Sequence, residues 1–342
     1  MEPVRWGVLG VAAIATSRFM PAMKDAHGAR LAAIASRDGA KAQRAAREFG
    51  VPRHFASYEE LLRDPEIEAV YIPLPNHLHV QWATRALEAG KHVLCEKPLC
   101  LTASDVVKLQ AARDRTGRHI EEAFSYRNHP QWKRIAEVLV SGTIGVPRAV
   151  QGTLAKQFLD PNDIRNNLER GGGALYDTGS YAISACSAVF QRAPRRVVAA
   201  IDRDPSWKID RLSTALLDYG DAHASFTVGS QSGPDAWATH QQFSILGSNG
   251  WLRCDFPYAH GRPTPCHVFV GDHLSHGAVE TTTYRFDPVN QYALQAERFS
   301  RYLRGEPVAS WPIEDALLTL TVIEALFASA KSGRWQAVPG LE

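Results

Sequence analysis

The sequence lacks the features that would tie a protein to a membrane, a nucleic acid or an oxidising compartment. None of its apolar runs reaches the ~18 residues that a membrane span requires. Because 38 Lys and Arg nearly balance 36 Asp and Glu, the formal net charge of +2 gives no electrostatic basis for binding nucleic acid or an anionic membrane. The five cysteines have no metal-type spacing, and no basic segment followed by an apolar one opens the chain. We therefore expect a cytoplasmic protein with no membrane or nucleic-acid partner.

The first part of the chain alternates two hydrophobic periodicities. Short apolar runs alternate with amphipathic helical patterns, which is typical of βαβ units and a parallel sheet covered on both faces. The runs span residues 4–9, 31–35, 69–72, 93–95 and 119–124. We predict a doubly wound α/β domain over residues 1–124.

The rest of the chain, 125–342, changes character. From Arg196 onward, strand-like runs follow one another without helices between them, which favours an α+β domain with a large, mostly antiparallel, open-faced sheet. The last helical pattern, 313–330, belongs to this domain or packs back on the first. An uncovered sheet face predicts a homodimer or homotetramer through this sheet. The alternate apolar positions proposed for the interface, one row of which must serve the core, are Ala224, Phe226, Val228, Phe243 and Ile245.

The end of the first predicted strand has the frame of a dinucleotide-binding fingerprint. Gly10 permits a tight turn, and small residues stand where the fingerprint requires close backbone approach, although Ala12 replaces its second glycine. The helix that follows offers backbone N–H groups to a pyrophosphate. Those groups belong to Val11, Ala12, Ala13 and Ile14.

The end of the second predicted strand indicates which dinucleotide binds. NAD-binding proteins carry an acidic residue there for the ribose hydroxyls, whereas an arginine accommodates a 2′-phosphate. This chain has Ser36 and Arg37, with Lys41 one turn further on. The pattern favours NADP, with NAD as the alternative cofactor.

Two further strand ends carry candidate ligand-binding residues. The strand at 69–72 leads into a proline-stiffened loop with Leu74, Asn76 and His79, at the edge where open α/β sheets bind ligands. The next predicted strand along the chain, 92–95, is followed directly by Glu96 and Lys97. A lysine beside a carboxylate is a candidate proton donor or cationic clamp, although the chemistry of these two residues alone favours a surface ion pair.

Several segments together resemble one family of oxidoreductases. In chain order they are Trp6-Gly7-Val8-Leu9-Gly10, Ser36-Arg37, Pro75-Asn76-x-x-His79, Ala89-Gly90-Lys91-His92-Val93-Leu94-Cys95-Glu96-Lys97-Pro98 and Gly171-Gly172-Gly173-Ala174-Leu175-Tyr176-Asp177-x-Gly-x-Tyr181. This pattern is similar to the glucose–fructose oxidoreductase/inositol dehydrogenase (Gfo/Idh/MocA) family, whose N-terminal domain is a Rossmann fold. Glu122-Ala123-Phe124-x-Tyr126-Arg127-x-His129-Pro130 and Asp163-Ile164-Arg165 resemble its branch of NADP-dependent D-xylose dehydrogenases and trans-dihydrodiol dehydrogenases.

The resemblance implies roles for individual residues. Lys97 corresponds to the catalytic lysine and Tyr181 to the acid/base, with Asp177 beside it. Residues four apart share one face of a helix, and a lysine near a tyrosine favours its phenolate form, so the three residue types suit one pocket. Arg165 is expected among the cofactor-binding residues. Tyr292 is expected near the nicotinamide or, equally, in the core.

The activity implied is hydride transfer between NADP(H) and a carbinol carbon of a sugar or related cyclic polyol. One alternative is a glycosidase that oxidises its substrate transiently with bound NAD. Another is a non-catalytic nucleotide-binding regulator, which the joint retention of Lys97, Asp177 and Tyr181 disfavours. No metal is expected, because the late histidines lack supporting ligands at metal-binding spacing. Those histidines are His260, His267, His273 and His276.

Overall fold

The computed structural model describes residues 1–232, 240–258, 265–273 and 279–339. The chain divides into two compact units, each described separately below. One contains residues 1–128 and 290–317, and the other contains residues 129–289 and 318–342. Residues 290–317 thus group with the first unit, a difference from the expected division at residue 124. The reason is packing within the first unit, where the Trp6 indole N–H donates a 3.0 Å hydrogen bond to Ser300.

The first unit contains a six-stranded parallel sheet in the order β3-β2-β1-β4-β5-β6. All four residues of Ala69–Ile72 are buried, as expected for a strand covered on both faces. The expected doubly wound Rossmann architecture is therefore confirmed. Its strands are β1 (Val4–Leu9), β2 (Ala29–Ala35), β3 (Arg53–Phe55), β4 (Ala69–Ile72), β5 (His92–Cys95) and β6 (Ile120–Glu122).

Helices begin and end at local signals in the sequence. Asp38, Ser57 and Thr102 each accept a backbone hydrogen bond as N-cap residues. Gly50 and Gly117 end two helices in the left-handed conformation. The helices are α1 (Met20–Ala22), α2 (Gly39–Phe49), α3 (Tyr58–Arg63), α4 (His79–Glu88), α5 (Ala103–Thr116), α6 (Pro130–Val140), α7 (Ser180–Phe190), α8 (Gln291–Leu303) and α9 (Glu314–Ser332).

The second unit contains a nine-stranded sheet in the order β14-β13-β12-β11-β7-β10-β9-β8-β15. Only the β7–β10 pair is parallel among its described strand pairs, so the expected mostly antiparallel sheet is confirmed. The strands are β7 (Pro147–Ala155), β8 (Arg196–Arg203), β9 (Asp210–Asp218), β10 (His223–Gly229), β11 (His240–Gly247), β12 (Gly250–Cys254), β13 (Cys266–His273), β14 (Val279–Phe286) and β15 (Gln336–Ala337).

The two faces of this sheet differ in chemistry. The apolar rows expected at an interface belong to the core instead, because Ala224, Phe226, Val228, Phe243 and Ile245 are all at most 2% exposed. That part of the interface prediction is wrong, since α7 packs against β7 and β10 on the apolar side. The opposite face carries a shallow groove of about 250 Å³ lined by hydroxyl and amide side chains, among them Gln151, Thr153, Thr214, Ser225, Thr227, Gln242 and Ser244.

Candidate functional site

A tight turn follows β1 in the first unit. Gly10 has a positive φ of 115°, and a Cβ at this position would lie 2.9 Å from Leu74. Both observations require glycine. Val11, Ala12, Ala13 and Ile14 follow as partly or fully exposed residues, before a π turn at Ala15–Phe19. The turn at Gly10 is therefore tight, and the binding of a pyrophosphate by the residues that follow stays a prediction.

The end of β2 presents two exposed cations. Arg37 and Lys41 are exposed, whereas Ser36 is buried and its hydroxyl accepts a 3.2 Å bond from the Asp38 N–H. The Asp38 carboxylate caps α2 by accepting from the Lys41 N–H at 3.0 Å. This edge of the sheet is therefore suited to an anionic group.

Tyr58, which the sequence reading did not single out, adjoins this cationic edge. Burial raises the pKa of Tyr58, while its hydrogen bond with the Arg37 guanidinium acts in the opposite direction. Arg37 is thus directed by a neighbouring side chain. No local motif marks this contact, because Tyr58 begins a helix of its own.

His79 connects two backbone segments beneath the expected ligand edge. It is fully buried, and its ring nitrogens lie 2.8 Å from the Pro98 carbonyl oxygen and 2.7 Å from the Leu74 carbonyl oxygen. Burial lowers the pKa of the imidazole. His79 therefore braces the loop after β4 against the segment after β5, and direct contact between His79 and a cofactor stays a prediction. Asn76 lies in the 3₁₀ turn of the same loop.

A buried polar cluster surrounds Glu96. The Tyr71 hydroxyl donates a 2.6 Å hydrogen bond to Glu96 Oε1, and burial together with this carboxylate raises the pKa of Tyr71 well above its usual value. Burial and Glu96 also raise the pKa of Tyr292, which hydrogen bonds with Ser125. The backbone N–H of Lys97 donates to Glu96 Oε2 at 3.3 Å, and Lys97–Pro98 is a cis peptide. Glu96 thus ties the Lys97 backbone to a rigid core.

Glu122 braces the same segment from β6. Its Oε1 accepts a 2.8 Å hydrogen bond from the Leu99 N–H, and burial raises its pKa to about 7. The segment that carries Lys97 is therefore held from three sides, by Glu96, His79 and Glu122. Sequence analysis singled out the first two.

In the second unit, an arginine orients the aspartate of the glycine-rich motif. The Arg165 Nε donates a 3.0 Å hydrogen bond to Asp177 Oδ2, and its NH1 group bonds to Asp163 at 3.2 Å. The guanidinium also lies 4.2 Å from the centroid of the Phe158 ring. Burial alone would lower the pKa of Arg165, but Asp177 and Asp163 outweigh burial and raise it.

Tyr181 lies in the first turn of α7, directly after the π turn Leu175–Gly179 that contains Asp177. Its ring packs edge to face on Tyr258, with the ring centroids 5.1 Å apart. Asp177 and Tyr181 are both buried, and the chain places them one helical turn apart. Arg165, Asp177 and Tyr181 belong to the second unit, whereas Lys97, the Gly10 turn, Arg37 and Tyr292 belong to the first.

Several weaker expectations concern other parts of the chain. Among the described residues, no group of three or more His, Cys, Asp or Glu has metal-binding geometry. His260 and His276 lie outside the described residues, while His267 and His273 lie on β13. Within the described ranges, no helix is long and apolar enough to cross a membrane.

Two family profiles match most of the chain. The Gfo/Idh/MocA oxidoreductase family, NAD-binding Rossmann fold, matches residues 4–124. The C-terminal domain of the same family matches residues 132–253. The chain belongs to the Gfo/Idh/MocA family. The expectations of this family and of an oxidoreductase are therefore confirmed.

Individual relatives extend over nearly the whole chain. The chain is 45% identical over 342 residues to the uncharacterized oxidoreductase ORF334 of Rhizobium meliloti, covering 99% of this chain and 100% of that protein. It is 33% identical to D-xylose 1-dehydrogenase (NADP(+)) 2 of Haloferax volcanii, covering 96% and 98% of the two chains. The crystal structure of KijD10, a 3-ketoreductase from Actinomadura kijaniata in complex with NADP and TDP-benzene, has a TM-score of 0.85 at 28% identity. The match covers 96% of this chain and 98% of the KijD10 chain. The expected likeness to NADP-dependent D-xylose dehydrogenases is confirmed.

Proposed function

We propose that this protein is an NADP-dependent oxidoreductase that interconverts a carbinol and a carbonyl group in a sugar or related cyclic polyol. The Arg165–Asp177 pair next to Tyr181 carries the proposal, because it combines a hydroxyl-binding carboxylate with a proton-exchanging phenol. Relatives named as a D-xylose 1-dehydrogenase and a dTDP-3,4-didehydro-2,6-dideoxy-alpha-D-glucose 3-reductase support the same substrate class.

The residues at the carboxyl edge of the parallel sheet fit a dinucleotide. The backbone N–H groups from Val11 to Ile14 suit a pyrophosphate, and Gly10, with its positive φ, makes the tight turn that leads into them. Arg37, with Ser36 and Lys41, suits the 2′-phosphate of NADP. Further contacts are proposed for Leu74, Asn76, Glu96, Lys97, Arg165 and Tyr292. The buried His79 would contribute by holding the Leu74 and Pro98 carbonyls in place. A dinucleotide held by these residues would supply the hydride acceptor for oxidation of the carbinol and the hydride donor for reduction of the carbonyl.

Three side chains would handle the substrate hydroxyl and its proton. Tyr181 accepts the hydroxyl proton during oxidation and returns it during reduction. The Lys97 ammonium stabilises the negative charge that develops on the substrate oxygen. Asp177, oriented by Arg165, accepts a hydrogen bond from a neighbouring substrate hydroxyl. The roles divide proton transfer, charge stabilisation and orientation among three groups.

Net redox turnover tests the proposal. The protein would be incubated with a panel of pentoses, hexoses and cyclic polyols and either NADP⁺ or NAD⁺, and absorbance at 340 nm would be followed. We expect reduced cofactor to accumulate with at least one sugar and preferentially with NADP⁺. Glycoside cleavage without net reduced cofactor would instead favour a transient-oxidation glycosidase. Binding of NADP without either reaction would favour a regulator.

We also propose that two copies associate through the open face of the nine-stranded sheet, in the cytoplasm. The groove residues on this face are uncharged, as is typical of the centre of an interface, and they flank the exposed Leu216 and Leu246. All five cysteines are buried in the described part of the chain and none is in a disulfide, which suits a reducing compartment.

A further inference from the structure

The helix that carries Asp177 and Tyr181 receives a cap from a distant strand. Asp210, the first residue of β9, is 1% exposed. Its Oδ2 accepts a 2.6 Å hydrogen bond from the backbone N–H of Leu175, the first residue of the π turn, and a 3.3 Å bond from the Ser213 hydroxyl. An N–H in the first turn of a helix has no partner within the helix. Asp210 therefore supplies that partner from 35 residues away.

The glycines before this helix are fitted to the same contact. Gly173 has a φ of 119°, and a Cβ built on it would lie 2.0 Å from Asp210 Oδ1. A Cβ on Gly172 would lie 2.4 Å from the Arg165 carbonyl oxygen. Both glycines thus allow close approach within the second unit. One admits the capping carboxylate, and the other admits the backbone of the arginine that bonds to Asp177.

The environment of Asp210 makes its charge dependent on pH near neutrality. Burial raises the pKa of Asp210 to about 6, against the opposing effects of the Leu175 N–H, its own backbone N–H, Ser213 and Arg203. Tyr176 and Arg203 are the titratable and charged side chains found to interact with it. Above this pKa the carboxylate makes a charge-assisted bond at the positive end of a helix, and below it that bond weakens.

We propose that Asp210 is a positioning residue for catalysis: by capping the helix start, it fixes where Asp177 and Tyr181 stand relative to the substrate. The inference rests on the proposed function, since it assumes that these two residues act on the substrate. The cap also explains the glycine at position 173, because only a residue without a Cβ lets the Asp210 carboxylate reach the Leu175 N–H. Asp210 itself needs no contact with substrate or cofactor.

Two variants and one control test the role of the cap. Asp210→Ala removes the acceptor, and we expect kcat at pH 8 to fall roughly 10-fold to 100-fold while the dissociation constant for NADP changes less than about 2-fold. Asp210→Asn keeps an acceptor without charge, so it should lose less activity. It should also lack the decline in kcat that we expect of the wild type as pH falls through about 6. Asp202→Asn, which disrupts only an exposed ion pair with Arg211, should behave as the wild type.

A double-mutant cycle tests whether the glycine and the carboxylate act together. Gly173→Ala should lower kcat strongly in the wild-type background. The loss of kcat should be smaller in the Asp210→Ala background, where the clash with the carboxylate is gone and only the backbone strain at a φ of 119° remains. The inference would be contradicted if the losses of kcat in the two single variants simply added in the double variant. It would also be contradicted if kcat of Asp210→Asn fell at acidic pH with the same midpoint as kcat of the wild type.

Amide hydrogen exchange separates this inference from the proposed function. In Asp210→Ala, the amides of residues 175–181 should exchange faster than in the wild type, whether or not any sugar is turned over. If the amides of residues 175–181 exchanged at the wild-type rate in Asp210→Ala, the positioning role of Asp210 would be refuted. An absence of sugar oxidation with faster exchange would refute the proposed function and the catalytic purpose of the cap together, while leaving the cap itself established.

Discussion

Glu121 and Glu122 are adjacent on β6 and both buried, yet their pKa values move in opposite directions. Burial raises the pKa of both carboxyl groups, but for Glu121 the hydrogen bonds from His119 and Arg298 outweigh burial and lower it. Glu122 accepts from the neutral Leu99 N–H, and its pKa rises to about 7. The alternation of side chains along a strand puts neighbouring residues in different environments.

This contrast predicts opposite effects on stability. Between the unfolded pKa and about 7, the unfolded chain ionises Glu122 before the folded protein does, so stability is lost as pH rises through this window. Glu122→Gln should therefore raise the Tm at pH 8 by a few °C, which corresponds to an increase of about 2 kcal/mol in the free energy of unfolding. Near pH 4 the Tm should change little. Differential scanning calorimetry across pH 4–8 measures the shift.

Glu121→Gln is the matched comparison. The folded pKa of Glu121 is lowered, so its contribution to stability is present above the unfolded pKa and is lost as pH falls. This variant should lower the Tm at pH 8, because it leaves Arg298 without its carboxylate partner. Shifts of the same sign in the two variants would contradict the assignment of the pKa directions.

Lys97→Met should abolish turnover with little effect on NADP affinity. The ammonium is proposed to stabilise developing charge, an effect worth roughly 10²–10⁴ in rate. Lys108→Met, which alters only an exposed lysine paired with Asp105, is the control and should keep wild-type kcat. Stopped-flow kinetics and cofactor fluorescence titration measure the two quantities. Retention of more than about a tenth of wild-type kcat in Lys97→Met would remove this residue from the mechanism.

Arg37→Ala should weaken NADP binding far more than NAD binding. A charge-assisted bond to a phosphate is worth ~1.5–3 kcal/mol, which corresponds to roughly 10-fold to 150-fold in Kd. Tyr58→Phe should give a smaller loss, because it removes only the hydroxyl that directs the guanidinium. Arg44→Ala, on the exposed side of α2, serves as the control. Equal losses for the two cofactors would show that Arg37 does not contact the phosphate.

Tyr181→Phe should remove most activity while preserving fold and cofactor affinity. The substitution deletes one hydroxyl and keeps the ring that packs on Tyr258. Tyr176→Phe, in the π turn that precedes α7, is the matched control, since Tyr176 packs on Phe327. If Tyr181→Phe is mild and Asp177→Asn severe, Asp177 is the base, and kcat of the two single variants decides between them.

Light scattering at micromolar concentration tests association through the open sheet face. We expect a dimer or larger oligomer that Leu216→Arg disrupts, because the substitution places a charge among uncharged groove residues. Lys331→Glu, on the exposed end of α9, is a control that should leave the mass unchanged. A monomeric wild type would refute this proposal.

Sequence periodicity predicts elements that local signals define and misses those that distant packing defines. The residues of β4 are predicted without error, because a buried apolar run is bounded by polar residues and prolines. The central strand β7 is missed, since Pro147 and Gly152 are strand-breaking signals. Gly152 is tolerated there because Phe226 and Phe243 from the two neighbouring strands pack over it.

The same distinction holds for the candidate site. Gly10, Glu96, Lys97, Asp177 and Tyr181 stand in contiguous motifs, so the sequence marks them. The residues that hold the segments of the candidate site in place come from elsewhere in the chain. Tyr58 directs Arg37, Glu122 holds Leu99, and Asp210 caps Leu175, and in each case the partner is fixed by tertiary structure.

The π turn at Leu175–Gly179 makes the length of this segment as important as its composition. A π turn has i→i+5 hydrogen bonds and so holds one residue more than a regular α-helical turn. Deleting Thr178 would allow an unbroken α-helix, yet it would rotate Asp177 by about 100° relative to Tyr181. A single-residue deletion that improves helix regularity would thus separate the two side chains. With the proposed roles of Asp177 and Tyr181, helix regularity and substrate chemistry would oppose each other at this point of the chain. Selection for activity would then keep the extra residue.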